Sequence, residues 1–247
     1  MKILFSPSEA KTSTGDLSPI DSTSFIFPEL YAKREYVLST YINFLHNADK
    51  KTLEKLFGLK KEKEILSLQK IDLFKEPTLK AIKRYTGVAY EYLQYTTLTQ
   101  KEQNFLDENL LIFSNLFGPL LAKDTIPYYK LKQGERLGDF AIEKYYAEHF
   151  TPALDQFLED EFIVDLRAGF YLKFYKLKQP YITMKFTKNG KVISHWAKAY
   201  RGMVVKALAQ HQPQNEKMFS EIVFENLSVI EIQKTKIKTE YIFEITS

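Results

Sequence analysis

Short, wholly apolar runs recur along the chain, separated by longer stretches with helical spacing. KILF at 2–5 reads as a buried strand that stops at Ser6-Pro7, and the loop SPSEAKTSTGDLSP follows. Pro28 opens a helical pattern in which Leu30, Val37, Tyr41, Phe44 and Leu45 share one face. Two shorter helices are predicted over 50–57 and 60–67, with Gly58 at the stop of the first. Residues 77–95 read as helix, tight turn at Thr86-Gly87, helix. Another helix covers 99–109, where Thr99 and Glu102 have the spacing of a capping box. LLIF at 110–113 is a strand, 128–131 a second extended segment, and 139–150 and 151–159 two helices, the latter with Pro152 in its first turn. FIVDL at 162–166 is again a buried strand. PYITMKF (180–186) and KVISHW (191–196) flank Asn189-Gly190, the dipeptide most typical of a two-residue hairpin turn. Helices over 197–210 and 213–224 and a hairpin from 229–233 and 241–245 close the chain. With no repeat, low-complexity tract or linker, the expectation is an α+β protein. It would form a single compact domain over 1–247, with a central mixed β-sheet, surrounding helices and a helix-hairpin-helix-like element, or else two intimately packed halves.

Composition narrows the function classes. The chain of 247 residues has no cysteine, which excludes disulfides, thiolate metal sites and a cysteine nucleophile. No stretch of 18 apolar residues occurs, and the N-terminus lacks the apolar length of a signal peptide. A cytoplasmic protein with no membrane partner is therefore expected, as a monomer. The four His do not pair at helical spacing, and no P-loop, dinucleotide-binding or α/β-hydrolase motif is found. Neither a cofactor nor a metal site is expected. His195 reads as a hydrogen-bonded, partly buried residue, with acid/base chemistry as the alternative.

The charge distribution is uneven. Residues 1–100 carry 15 Lys/Arg against 12 Asp/Glu, and 101–161 carry 6 against 12. Residues 162–211 carry 10 against 1, and the remainder 4 against 6. The positive charge thus collects in one fifth of the chain, which suits an anionic partner as well as a lysine-rich outer face. Two loops after strands, SPSEAKT and DLRAGFY, combine backbone amides with a cation and suit anion holding. AIKRYTGVAYEYL has the layout of a helix-hairpin-helix, whose turn donates amides to phosphate; a plain structural corner is the other reading. Nine aromatics between 162 and 202 are interleaved with cations. Of these, Tyr171, Tyr175 and Tyr200 are expected to be partly exposed and able to stack bases. Lys198 and Arg201 fall in the opening turns of a helix, where cations oppose the macrodipole unless an anion binds. Trp196 is expected to anchor that helix in the core.

Taken in order, ILFSPSEAKT, RYTGVAYEYL, LLIFSNLFGPLLAKDTIPYYKLKQGERL, DLRAGFYLKF and VISHWAKAYRGMVVKAL resemble the bacterial peroxide-stress YaaA family over essentially the whole chain. The resemblance implies a single α+β domain with a positively charged cleft and a helix-hairpin-helix-like element. It also implies binding to DNA, including distorted duplexes, a part in limiting oxidative damage under hydrogen peroxide, and a link to iron homeostasis. Ser6, Lys11, Tyr85, Thr86, Gly87, Tyr129, Lys130, Gly134, Arg136, Lys198, Arg201 and Gly202 are the polar and glycine positions it carries over. Two segments depart from the family pattern: SPSEAKT is longer than the usual SPAKT, and DLRAGFY stands where other members have a segment closer to LASDEYF.

Two function classes follow, beside a blander reading as an iron-handling or interaction protein, for which the sequence offers no ligand cluster. In the first, a basic cleft binds DNA phosphates largely without regard to sequence, through Ser6, Lys11, Arg84, Tyr85, Thr86, Gly87, Lys130, Arg136, Arg167, Tyr171, Lys198, Arg201 and Lys206. In the second, the same cleft is an enzyme site for a nucleotide, base or DNA lesion, with Glu9, Lys11 and Arg136 as catalytic candidates. A deep pocket holding Glu9, Lys11 and Arg136 together would favour the second class.

Overall fold

The computed structural model describes residues 1–193 and 196–246. The chain opens with β1 (Lys2–Phe5), then α1 (Tyr31–Asn47), α2 (Lys50–Phe57) and α3 (Glu62–Gln69). Next come β2 (Thr78–Lys80), α4 (Ala81–Arg84), α5 (Val88–Leu93), α6 (Gln100–Asn109), β3 (Leu110–Ser114), β4 (Gly118–Leu121) and β5 (Thr125–Pro127). The second half holds α7 (Ile142–Leu158), β6 (Ile163–Asp165), β7 (Tyr181–Lys188), β8 (Lys191–Val192), α8 (Trp196–His211), α9 (Glu216–Ser220), β9 (Leu227–Lys234) and β10 (Lys238–Ile245).

One mixed sheet organises the molecule, in the order β4-β3-β1-β6-β7-β10-β9, with β8 paired to β7. β3, β1, β6, β7 and β10 run parallel, and β4, β8 and β9 are antiparallel to their neighbours. β3 and β6 are buried along their whole length and β1 beyond Lys2, so helices cover both faces there, as a parallel sheet requires. β1 is the first strand of the chain yet lies in the middle of the sheet, with β3 on one side and β6 on the other. The chain passes from β1 to β3 on one side and later returns to β6 on the other. Such a switch in strand order is where open parallel sheets form a ligand crevice, here at the carboxyl ends of β1, β3 and β6.

The sequence-predicted elements recur with local changes that have physical reasons. Thr99 and Glu102 do form a capping box at α6, and Gly58 ends α2 with φ 65°. Asn189 and Gly190 adopt φ 52° and 70°, the two left-handed residues of the hairpin turn. Residues 77–80 are not helical, because Thr78–Lys80 pairs with Thr125–Pro127 as a two-stranded ribbon. That pairing also moves the extended segment expected at 128–131 forward to β5. The two helices expected over 139–159 are one. α7 runs through Pro152, whose missing amide forfeits a single helical hydrogen bond inside a face buried through Tyr146, Phe150 and Leu154. Trp196 is 55% exposed, so it does not anchor α8 in the core; Tyr200, Val204, Val205 and Leu208 do. His195 lies outside the described residues.

Candidate functional site: a basic crevice at the sheet's carboxyl edge

The first loop is fastened over the crevice from both sides. Ser6, directly after β1, accepts a hydrogen bond at Oγ from the Ala168 amide beyond β6 at 2.8 Å, and Tyr90 of α5 donates to the Ser6 carbonyl at 2.9 Å. The two loops singled out as anion holders thus meet. Further along, the Thr12 amide donates to Arg84 O, and the Thr86 amide donates to Ala10 O. Gly87 is packed so closely against this loop that a Cβ would come within 2.2 Å of Ser8 Oγ. The corner predicted at 84–87 exists, as two helices of four and six residues. Its Thr86 amide is already committed to the first loop.

Beneath the loop lies a closed hydroxyl network. Tyr129 OH is 3.0 Å from Tyr85 OH, 2.9 Å from Ser114 Oγ and 3.0 Å from Asn115 Oδ1. The directions of these bonds can be assigned. Asn115 gives its amide hydrogens to Leu131 O, so its oxygen faces Tyr129 and must accept. Ser114 Oγ accepts from the amides of Leu116 and Phe117, so its own proton goes to Tyr129. Tyr129 therefore donates to Asn115, and Tyr85 donates to Tyr129. Burial keeps both phenols protonated, pushing Tyr85 up to about 12 and Tyr129 well above its ordinary range.

Lys11 rests on this network. Its Nζ stands 4.2 Å from the centroid of the Tyr129 ring and 5.5 Å from that of Tyr85. Its one hydrogen bond is a long 3.4 Å contact to Glu9 O, and among the described residues no carboxylate comes within ion-pair distance. The Glu9 carboxylate instead accepts from the Gln133 amide at 3.0 Å. Burial, with Lys130 and Arg84 adding repulsion, pushes the Lys11 ammonium down to about 7, against the partial attraction of Glu9.

At the β6 end of the crevice, Arg201 projects from α8. Burial lowers its pKa, and Asp165 at the end of β6 partly restores it. Among the described residues, neither Arg201 nor Lys130 has a hydrogen-bonded or ion-paired side-chain partner. Lys198 is exposed one turn before Arg201 on the same side of α8. Lys130 lies close enough to Lys11 for the two charges to repel, and Arg201 lies near Asp165 at the end of β6.

Other sequence-predicted residues are spent or placed elsewhere. Arg84 is fully buried and donates to Thr12 O at 2.6 Å, Thr14 O at 2.5 Å and Ile126 O at 3.1 Å. It is the strap of the first loop, with no donor facing the crevice. Arg167 forms a buried fork with Asp165, 2.9 Å from Nε to Oδ1 and 2.7 Å to Oδ2, and also donates to Tyr175 O at 3.0 Å. The aromatic rings expected to stack bases are interior, for Tyr171, Tyr175 and Tyr200 are 3%, 2% and 7% exposed. Arg136 is exposed and donates to Asp139 O, in a depression with Phe44, Lys55 and Glu135 that neither Glu9 nor Lys11 lines. Lys206 donates to Gln94 Oε1 in a groove with Tyr92 and Met203. Glu9, Lys11 and Arg136 are therefore not gathered in one pocket. Among the described residues, no three His, Asp or Glu side chains are grouped as metal ligands, and no helix is long and apolar enough to cross a membrane.

Sequence reading missed Ser114, Asn115 and Tyr90. The signal for the first two was available, since a polar pair directly follows the apolar run LLIF. It also missed Arg34, which is fully buried and donates to Phe117 O, Ile26 O and Pro119 O. Arg34 falls between Leu30 and Val37 on the apolar face of its helix, and that placement marked it.

Comparison with known proteins finds sequence matches over most of the chain. A sequence profile of the family described as peroxide stress protein YaaA matches residues 1–232. An uncharacterized protein of Campylobacter jejuni is 52% identical over 245 residues, covering 99% of each chain. A UPF0246 protein of Corynebacterium efficiens is 33% identical over 219 residues, covering 85% of each. A UPF0246 protein of Streptomyces coelicolor is 29% identical over 215 residues, covering 84% of this chain and 82% of its own.

Proposed function

This chain belongs to the peroxide stress protein YaaA family, and from that premise we propose that its crevice binds the phosphate backbone of DNA, duplex or distorted, during protection against hydrogen peroxide. The observation that carries this reading is the set of uncompensated cations. No carboxylate is bonded to Lys11, Lys130 or Arg201 among the described residues, while Arg84 and Arg167 are internally saturated. Cations kept without partners in a half-buried crevice raise the local potential and suit a polyanion. Phosphate contact runs through these side chains rather than through the 84–87 corner, because the Thr86 amide is engaged by Ala10. Tyr171, Tyr175 and Tyr200 are buried and offer no free face for stacking, which favours recognition of charge and shape over bases.

The test is a salt-series titration on single-stranded, duplex and bulged DNA. K130A and R201A should weaken binding to all three and lower the salt slope by about 1 each. Unchanged affinity and slope in the double variant at moderate salt would overturn the assignment of this crevice.

A further inference from the structure

We propose that Lys11 is also a carbonyl-reactive amine, which condenses with an aldehyde borne on an anionic molecule to form an imine. Holding phosphate requires only a charged ammonium, and an exposed lysine does that best. Lys11 is placed differently. It is half-buried at the floor of the crevice, its Nζ against the faces of Tyr129 and Tyr85 at 4.2 and 5.5 Å. The neighbouring Glu9 carboxylate is turned away to the Gln133 amide. The charges acting on the amine are those of Lys130, Glu9 and Arg84, and the rings in contact with it are the two phenols. The phenols stay protonated, and the cations outweigh the single acid. The amine consequently titrates near neutrality, at about 7, so a large share is the free base that attacks carbonyls. The aromatic walls are fixed by hydrogen bonds whose protons are all assigned, which holds the amine in place. Lys130 and Arg201 then supply charge for the anionic part of the reactant.

The reaction balances without a further reagent. The nitrogen lone pair attacks the aldehyde carbon, forming a C–N bond as the C=O π pair moves to oxygen. The oxygen takes up both protons lost from the amine and leaves as water, giving the imine. Two sources share this chemistry: the ring-opened sugar of an abasic site, flanked by phosphates, and a free anionic aldehyde.

The experiment is borohydride trapping of the full-length protein with two probes, an abasic-site duplex and glyoxylate, followed by intact mass and peptide mapping. A reduced adduct on Lys11, absent from K11R and well above labelling at other lysines, is the expected result. K11R keeps the charge but cannot form an imine, and its melting temperature separates loss of the amine from loss of fold. Adduct with the duplex alone assigns the reactant to DNA, and adduct with glyoxylate alone assigns it to a small molecule. No adduct on Lys11 with either probe, or an undiminished adduct in K11R, overturns the proposal. The glyoxylate arm needs no DNA, so it stands or falls apart from the DNA reading.

Discussion

At the scale of single residues, the basic side chains of this protein divide by what already bonds them. Arg167 illustrates the saturated kind. Its fork with Asp165 is buried and short, and truncating one partner leaves the other charge stranded in the interior. R167A should therefore cost about 3–5 kcal/mol of stability in urea unfolding. Pairing it with D165L should recover much of that loss, because the stranded carboxylate is gone. Lys11 illustrates the free kind, and pH reads it. Below about 7 it is an ammonium and, on the proposed reading, would contribute a phosphate contact; above that it becomes neutral and the contact would fade. The DNA salt slope should fall by about 1 between pH 6 and 8.5 in the native chain and stay constant in K11M. Stability carries the opposite trend. The folded value lies below the ordinary 10.5, so the unfolded chain binds more protons between the two. Stability gains a contribution as pH rises through that window, and K11M should lack it.

Between elements, one contact sets where Arg201 points. α8 lies so near α5 that a Cβ on Gly202 would fall 2.0 Å from Ala89 O, a backbone atom that cannot swing aside. G202A should force the two helices apart and cost about 1–3 kcal/mol in thermal or urea unfolding. It should also weaken DNA binding, since Arg201 is the adjacent residue. Elements of this scale were largely legible in the sequence wherever a local device defines them, such as the capping box at Thr99 and the Asn189-Gly190 turn. The failures come from long-range pairing. Nothing local distinguishes 78–80 from the start of a helix; its strand character is imposed by β5, nearly 50 residues on. Likewise Pro152 reads as a boundary until packing carries α7 through it. The site was half legible for the same reason. The charge run and the post-strand loops marked Ser6, Lys11 and Arg201, and the family resemblance added Lys130, but the loops also marked Arg167 and the hairpin layout marked Arg84. Only the tertiary structure shows that carbonyls and a carboxylate use those two up.

For the whole molecule, the excess of cations over acids in 162–211 overstates the binding surface. Arg167 is internal, Lys178 is paired with Asp155 at 2.5 Å and Lys206 is bonded to Gln94 at 2.6 Å. What remains along the carboxyl edge is Lys198 and Arg201 from that segment, joined by Lys11 and Lys130 from elsewhere in the chain. Lys130 is close enough to Lys11 to repel it, and Arg201 lies near Asp165 at the end of β6, which neighbours β1 in the sheet. If these four make the phosphate contacts, the slope of log K against log salt on duplex DNA should be about −3.6. The full run of ten cations would give about −9 on the same relation. A measured slope near the larger figure would mean that the outer lysines of β7 and β8 also touch DNA and that the footprint extends beyond the crevice. A slope near the smaller figure, reduced by about 1 with each of K11M, K130A, K198A and R201A, would confine it to the switch between β3, β1 and β6.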